Sequence, residues 1–396
     1  MALSNSSARY GTVARSLHWL TALLIFTDFP LGMIANALPF DTSEALARKA
    51  QLFSVHKTLG LLVFFVALAR ILWALTQPRP APLHPGRRLE TIAAELVHWS
   101  LYVALVAVPL SGWIHHAAVE GFAPILWPFG QDLPFVPKSE AVAGIAGAAH
   151  WLFTKLLLVS VALHVAGALK HVIFDRDDTL ARMTHGRVTA EPAAAAHPRV
   201  PALAAVLVWL AATGLAYAVA RPDPAETAAA PAAAAVGNWQ VESGSLGFSV
   251  RQMGAAVSGS FPNWTAEITF DEAPVDGKNG SVTVTIDTTT MTLGSVTAQA
   301  KEAEFFDVAA HPTAVFRADI LPEGTGYVAQ GTLSLRGTEK PVSLPFTLIL
   351  EGDTARMTGE TTLDRRDFGM GASYGDESSV GFPVTVTVEL TAKRAP

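Results

Sequence analysis

Five long apolar segments occupy the first 220 residues of the chain. They lie near residues 16–37, 56–77, 94–117, 148–173 and 200–220. Each is long enough for a helix to cross a bilayer, which takes about 20 mostly apolar residues. Charged residues inside these segments, such as Asp28 and Lys155, are tolerated in a membrane when they face the interior of a helix bundle. The pattern therefore predicts five membrane-spanning helices.

The pattern changes after residue 236 to short runs in which polar and apolar residues alternate. Examples are SVTVTID (281–287), YVAQGTLSL (327–335) and FPVTVTVEL (382–390), with glycine-containing turns between the runs. Alternation with period two at regular spacing is typical of an antiparallel sandwich or barrel. Residues 221–236, which are rich in proline and alanine, are predicted to be a linker.

The composition agrees with a membrane protein and excludes several kinds of site. Half of the residues are hydrophobic and 16% are charged, against about 25% charged in ordinary soluble domains. The absence of cysteine excludes disulfides, iron–sulfur clusters and covalent haem attachment through a Cys-x-x-Cys-His motif. The net charge of −6 argues against a nucleic-acid partner.

Lysine and arginine in the flanking segments predict the orientation of the spans. Basic residues precede the first span, lie between the second and third, and follow the fourth, whereas the loop between the third and fourth has Lys138 alone against three acidic residues. By the positive-inside rule the N-terminus is cytoplasmic. An odd number of spans then places the C-terminal β domain in the periplasm.

Two histidines in the fourth span, His150 and His164, are the strongest indication of chemistry. Fourteen residues are close to four helical turns, so both side chains lie on nearly the same face, about 21 Å apart along the axis. Buried histidines in a membrane usually carry function. Two ligands at two depths on one helix indicate two stacked metal cofactors.

The predicted topology gives each of these histidines a partner at the same depth. His56 opens the second span on the outer side, as His150 opens the fourth, and His18 begins the first span on the inner side, near the depth of His164. Paired imidazoles from two helices suit the two axial positions of a haem iron. Zinc is a weaker alternative, because no carboxylate or thiolate clusters with these histidines in the sequence.

The remaining candidates are predicted to be secondary contacts. His98, His171 and Lys57 are possible contacts of a quinone or of a haem edge, and His171 is also an alternative inner ligand. His115 and His116 are expected at the outer interface. His84, His185, His197 and His311 are expected in loops without a metal role.

The N-terminal motifs resemble the bacterial cytochrome b-561 family over about residues 8–185. The matching runs are RYGTVARSLHWLTALLI, HKTLGLLVFFVALARILWAL, HWSLYVALVAVPLSGW and the segment from His150 to Met183. The resemblance implies a four-helix membrane bundle with two haem b groups, ligated by His18, His56, His150 and His164. It also implies electron exchange with ubiquinone or another isoprenoid quinone, and some family members are reported to oxidise superoxide.

The C-terminal part resembles the YceI-like family through GFSVRQMG (247–254), KEAEFFDVAAHPTAVF (301–316), LSLRGTEKPVSLPF (333–346) and TTLDRRDFGMG (361–371). The resemblance implies a lipocalin-like barrel that holds an isoprenoid lipid. Gln252 stands where that family often has histidine. Candidate lining residues, taken from the alternating positions, are Phe248, Val250, Phe270, Phe316 and Leu335.

The prediction as a whole is a multidomain protein: an all-α di-haem bundle in residues 1–190, a fifth span with a linker in 191–236, and an all-β barrel in 237–396. The predicted function is that of an inner-membrane cytochrome that transfers electrons to or from the quinone pool, with a periplasmic barrel that binds isoprenoid lipid or quinone. The alternatives are a superoxide:ubiquinone oxidoreductase and a lipid-trafficking protein with a haem anchor. The expected partners are the bilayer, quinone and isoprenoid lipid, with a homodimer possible.

Overall fold

The computed structural model describes residues 2–84, 86–121, 123–186, 200–220 and 237–395. Two compact units make up the chain. The first contains Met1–Ala37, Leu52–Ala118 and Pro124–Arg221, and the second contains Leu38–Gln51, Val119–Ala123 and Pro222–Pro396. The predicted linker, 221–236, lies outside the described residues, as does His197.

Helices account for nearly all of the first unit. They are α1 (Thr12–Ala37), α2 (Ser43–Leu75), α3 (Arg88–Ala117), α4 (Glu140–Lys170), α5 (Thr179–Thr184) and α6 (Val200–Ala220), and a π-helical turn, His171–Asp175, continues α4. Five of the described helices are long and apolar enough to cross a membrane. The helix α2 begins thirteen residues before the span predicted at 56, since its first turns lie outside the apolar run.

Apolar side chains cover the outside of this unit, and small or polar residues line its interior. Leu23, Phe26 and Leu207 are more than half exposed, whereas Ala67 and Ala104 are fully buried. A helix that is apolar on all sides is typical of a membrane span. Asp28 in α1 is buried, as predicted for a charged group facing the bundle, whereas Lys155 is exposed, with its ammonium 5.5 Å from the centre of the Trp151 ring.

The helix α6 packs against α3 and α4. Its Trp209 ring lies 5.1 Å from that of Phe153, and Ala212 and Ala216 join the same buried cluster with Ala104. Small residues allow two helices in a membrane to approach closely. The fifth long helix is therefore an integral part of the first unit.

The second unit is built on a closed antiparallel barrel. Its strands are β1 (Trp239–Gln252), β2 (Ala255–Ser260), β3 (Trp264–Val275), β4 (Lys278–Asp287), β5 (Thr313–Glu323), β6 (Gly326–Leu335), β7 (Thr338–Glu351), β8 (Thr354–Asp364) and β9 (Val380–Arg394). Neighbouring strands pair in order from β3 to β9, and β1 pairs with both β3 and β9, which closes eight strands. The remaining strand, β2, pairs with the end of β1. The predicted fold class is confirmed.

Period-two alternation determines which side chains enter the barrel. Along β5, Ala314, Phe316, Ala318 and Ile320 are buried, and the residues between them are more exposed. Successive side chains of a strand point to opposite faces of the sheet. The inward residues of all the barrel strands thus form one apolar lining.

Candidate functional site: two histidine pairs and an apolar cavity

The structure brings the four predicted histidines together as two pairs in the first unit. The ring centroids of His56 in α2 and His150 in α4 are 6.4 Å apart. Those of His18 in α1 and His164 in α4 are 6.0 Å apart. Two metal–imidazole bonds of about 2 Å on opposite sides of one ion leave the ring centroids roughly 6 Å apart. Both pairs therefore fit the two axial ligands of one iron.

Hydrogen bonds through Nδ1 hold both imidazoles of the His56–His150 pair, which is called the outer pair after its predicted depth. The Nδ1 atom of His56 lies 2.9 Å from Oδ1 of Asp28 and 3.2 Å from the Asp28 carbonyl oxygen, and Nδ1 of His150 lies 2.9 Å from the Val108 carbonyl oxygen. Because oxygen acceptors face Nδ1 of both rings, the proton is favoured on Nδ1 and the lone pair on Nε2. Metal-ligating histidines are commonly held in this way.

The His18–His164 pair, which is called the inner pair after its predicted depth, has a cationic neighbour instead. The Arg70 guanidinium donates to Nδ1 of His18 at 3.3 Å, and it lies 5.4 Å from the centre of the Tyr102 ring. A guanidinium has no acceptor, so this contact fixes Nδ1 of His18 as the acceptor. A neutral His18 whose Nδ1 accepts carries its proton on Nε2, so ligation through Nε2 would require the other tautomer and a shift of Arg70 away from Nδ1.

His98 lies beside the inner pair. Its ring centroid is 5.1 Å from that of His164, which is shorter than the separation expected for two ligands of one ion. Of these two separations, that of His18 from His164, at 6.0 Å, agrees better with a shared iron. His98 is placed as a neighbour of that site.

The second unit contains an apolar cavity of about 280 Å³ inside the barrel. All five lining residues predicted from the alternation contribute to it, namely Phe248, Val250, Phe270, Phe316 and Leu335. Phe40 and Leu46, which belong to the segment Leu38–Gln51 of this unit, also line it. The Tyr374 hydroxyl donates to the Phe40 carbonyl oxygen and is itself part of the lining.

Two glutamines give this cavity a polar component. Gln252 and Gln299 both line it, and the Oε1 atom of each is buried and finds no hydrogen-bond donor among the described residues. Buried polar atoms without a partner are rare in folded proteins. These two amides are suited to a ligand with a polar end.

Comparison with known proteins assigns both halves of the chain. The profile of the family described as prokaryotic cytochrome b561 matches residues 9–186. Cytochrome b561 homolog 2 of Escherichia coli (strain K12) is 34% identical over 185 residues, which cover 46% of this chain and 95% of that protein. The chain belongs to the prokaryotic cytochrome b561 family. Its C-terminal part is a YceI-like domain, matched over residues 238–392.

Two further similarities are weaker. A protein of Yersinia pestis named "Probable superoxide oxidase CybB" is 24% identical over 176 residues, covering 44% of this chain and 95% of that protein. The crystal structure of Burkholderia cenocepacia BcnA aligns at 28% identity and a TM-score of 0.36, covering 38% of this chain and 96% of that chain. Membership of the cytochrome b561 family implies haem b, and the two histidine pairs fit that group.

Sequence reasoning missed the groups that support the ligands. In the sequence, Asp28 is only a charge within an apolar span, and no motif distinguishes Arg70. The expectation that no carboxylate accompanies the histidines is wrong at His56, which contacts Asp28. The reason is topological: 28 residues separate the two in sequence, and only the packing of α1 on α2 joins them.

Two glycines make room for the outer histidines. A Cβ atom on Gly32 would lie 2.8 Å from Cε1 of His56, and one on Gly112 would lie 3.0 Å from Nδ1 of His150. We expect Gly32→Ala to displace the His56 ring and to weaken outer-haem binding by roughly tenfold, since overpacking costs about 1–3 kcal/mol. Haem titration of the apoprotein measures this effect.

Gly144→Ala is the matched control for Gly32→Ala. It introduces the same methyl group into α4, where nothing lies within 4 Å of the new Cβ. Normal haem binding in both variants would contradict a role for Gly32 in positioning His56.

Proposed function

We propose that this protein is a bacterial inner-membrane cytochrome that carries two haem b groups and exchanges electrons with quinone. The observation that supports this most strongly is the presence of two imidazole pairs with ring separations of 6.0 and 6.4 Å. Their members in α4 lie fourteen residues apart, about 21 Å along the helix. Haem b supplies one-electron chemistry when it is bound.

The residues of this chain hold and tune such groups. His56 and His150 are the proposed outer ligands, and His18 and His164 the proposed inner ones. The Asp28 carboxylate, bonded to Nδ1 of His56, raises the basicity of that ligand, as carboxylate partners of histidine do at other metal sites. Arg70 is placed to offset the charge of an anionic group beside the inner pair.

The barrel is proposed to bind an isoprenoid lipid or quinone. Its cavity is lined almost wholly by apolar side chains, which suits a hydrocarbon tail in a small barrel. The unpartnered amide oxygens of Gln252 and Gln299 favour a ligand end that carries a hydroxyl donor, such as a quinol or a polyprenol. We further propose that the N-terminus is cytoplasmic and the barrel periplasmic, on the basis of the loop charges.

His98 and Lys57 are proposed as neighbours of the redox groups. His98 lies next to His164, so it is the candidate for a quinone or haem-edge contact on the inner side. Lys57 follows the proposed outer ligand His56 and is 8% exposed.

Stopped-flow mixing of the purified, oxidised full-length protein with ubiquinol tests the proposed function. We expect two b-type haems per chain and their reduction by the quinol within the mixing experiment. Replacing His18 or His56 is expected to remove the signal of the corresponding haem. A protein that holds both haems but is not reduced by quinol, and whose dithionite-reduced form is not oxidised by quinone, would contradict quinone exchange.

Superoxide oxidation is the second candidate function. Its support is the name of the Yersinia pestis relative and the position of Lys57 directly after His56. Positive charge attracts the superoxide anion, and 8% of Lys57 is exposed. The same stopped-flow experiment with superoxide as reductant distinguishes it, and haem reduction no faster than spontaneous dismutation would exclude it.

A further inference from the structure

Three segments of the first unit meet at a cluster that lies outside the two proposed pairs of haem ligands. His84 lies in the loop between α2 and α3, His171 begins the π-helical turn after α4, and Asp177 lies between that turn and α5. Sequence reasoning placed His84 in a loop without a metal role and treated His171 as a haem or quinone contact. The structure places both beside one carboxylate, that of Asp177.

One oxygen of Asp177 faces both imidazoles. Its Oδ2 atom lies 2.8 Å from Nε2 of His84 and 2.7 Å from Nδ1 of His171. The two rings are stacked, with centroids 6.2 Å apart and planes within 2° of parallel. The three ligand atoms all lie within 4.8 Å of one another. Such a distance lets one ion contact all three after small side-chain rotations.

The charges around the cluster distinguish Asp177 from its neighbour Asp175. Asp175 is neutralised by two cations, with Nη1 of Arg87 and Nζ of Lys170 each at 2.9 Å. Among the described residues, the ion-pair partners of Asp177 are the two histidines alone. Arg182 adds a positive charge that acts on Asp177 without forming an ion pair with it. Because the carboxylate is only 13% exposed, a cation held directly by its oxygens would stabilise it further.

A backbone hydrogen bond orients the Asp177 carboxylate. The Thr179 amide donates to the second oxygen, Oδ1, at 2.9 Å. A carboxylate oriented by such a bond is a common feature of metal ligands.

We propose that His84, His171 and Asp177 bind a divalent cation of the zinc class. Two imidazoles and one carboxylate are a ligand set that zinc accepts, with water in the fourth position. The ion would join the α2–α3 loop to the end of α4, seven residues after His164. A π-helical turn inside or at the end of an α-helix frequently marks a functional position, and here it carries one of the three ligands.

Zinc binding to the full-length, haem-loaded protein tests the site. The protein carries an affinity tag without histidines, is stripped with a chelator, and is dialysed against micromolar zinc before elemental analysis. We expect one zinc per chain in the unchanged protein, and at least about a tenfold loss of zinc affinity in His84→Ala and in Asp177→Asn. Zinc content is read independently of haem content, so this test and that of the redox function can fail separately.

Two matched variants complete the design. His185→Ala removes an exposed histidine of the same region, and Asp175→Asn removes the carboxylate that already has two cations. Both are expected to keep zinc. No zinc in the unchanged protein, or equal zinc in all four variants, would overturn the proposal. Loss in Asp175→Asn with retention in Asp177→Asn would likewise overturn it, because the ligands would then be Glu90, His171 and Asp175.

Discussion

We expect that replacing His150 with alanine halves the haem content of the purified protein, from two haems per chain to one. The variant removes one of the two proposed axial ligands of the outer haem, whose partner His56 lies 6.4 Å away between ring centroids. The inner pair depends on His164, about 21 Å further along the same helix, and no contact of that pair involves His150. The ratio of pyridine haemochrome to protein measures the result.

The remaining haem also reports on folding in this experiment. If the variant retains one haem, α1 and α4, which carry the inner ligands His18 and His164, have packed together, and the loss is local to the outer site. His115→Ala is the matched control, because His115 is another histidine of the outer end whose Nδ1 bonds a backbone carbonyl, that of Ala143, at 2.8 Å. Two haems in His150→Ala, or one haem in His115→Ala, would refute the assignment of the outer pair.

The histidine pairing could be predicted because a helix is a rigid rod with a known repeat. The interval from His150 to His164 fixed two depths, and loop charges then supplied a partner for each. Tertiary contacts were beyond this reasoning. Arg70 lies 52 residues from His18 in sequence, and His84 lies 93 residues from Asp177, so no local pattern connects either pair.

In the barrel, too, features that follow from a local repeat could be predicted and other contacts could not. Alternation along the strands predicted all five of the proposed lining residues, because period two leaves only two faces to choose from. The short helix α7 (Thr297–Lys301), which carries Gln299 into the cavity lining, has too few residues to show any period. Only the structure shows that Gln299 lines the cavity and that its buried Oε1 atom has no hydrogen-bond donor among the described residues.

The two histidine pairs have different neighbours, which the sequence did not predict. The outer pair has two Nδ1 atoms with acceptors and therefore two Nε2 lone pairs. The inner pair has Arg70 on His18 and a third imidazole, His98, next to His164. Different neighbours of chemically similar haems change their potentials. The two sites are therefore expected to differ in potential, with the carboxylate at the outer site favouring the oxidised, more positive iron there.

We expect isoprenoid lipid to copurify with the protein and Ala329→Phe to remove most of it. Ala329 is 3% exposed, lines the cavity and lies between Ile320 of β5 and Leu344 of β7. A cavity of about 150 Å³ holds one benzene molecule, so an added phenyl ring takes roughly half of the 280 Å³ present. The space left is too small for a polyprenyl tail.

Gln330→Phe is the control for this variant. It adds the same ring one residue later on β6, where the side chain is exposed and points to the opposite face. Isoprenoid lipid is extracted from both variants and measured by mass spectrometry per mole of protein. Lipid held by detergent or by the membrane helices is expected to be equal in the two, so a difference between them reports on the barrel. Equal isoprenoid content in the two variants would contradict binding inside the barrel.

Haem content and the rate of haem reduction by quinol in Ala329→Phe show whether lipid binding in the barrel is linked to electron transfer. If Ala329→Phe loses lipid but keeps two haems that quinol reduces at the normal rate, the barrel stores or transports lipid separately from electron transfer. If haem reduction by added quinol slows together with lipid loss, the barrel presents the quinone to the cytochrome. We expect the second result, since the lipid proposed for the cavity and the substrate proposed for the haems share one chemistry: an isoprenoid tail with a redox-active, hydroxyl-bearing end.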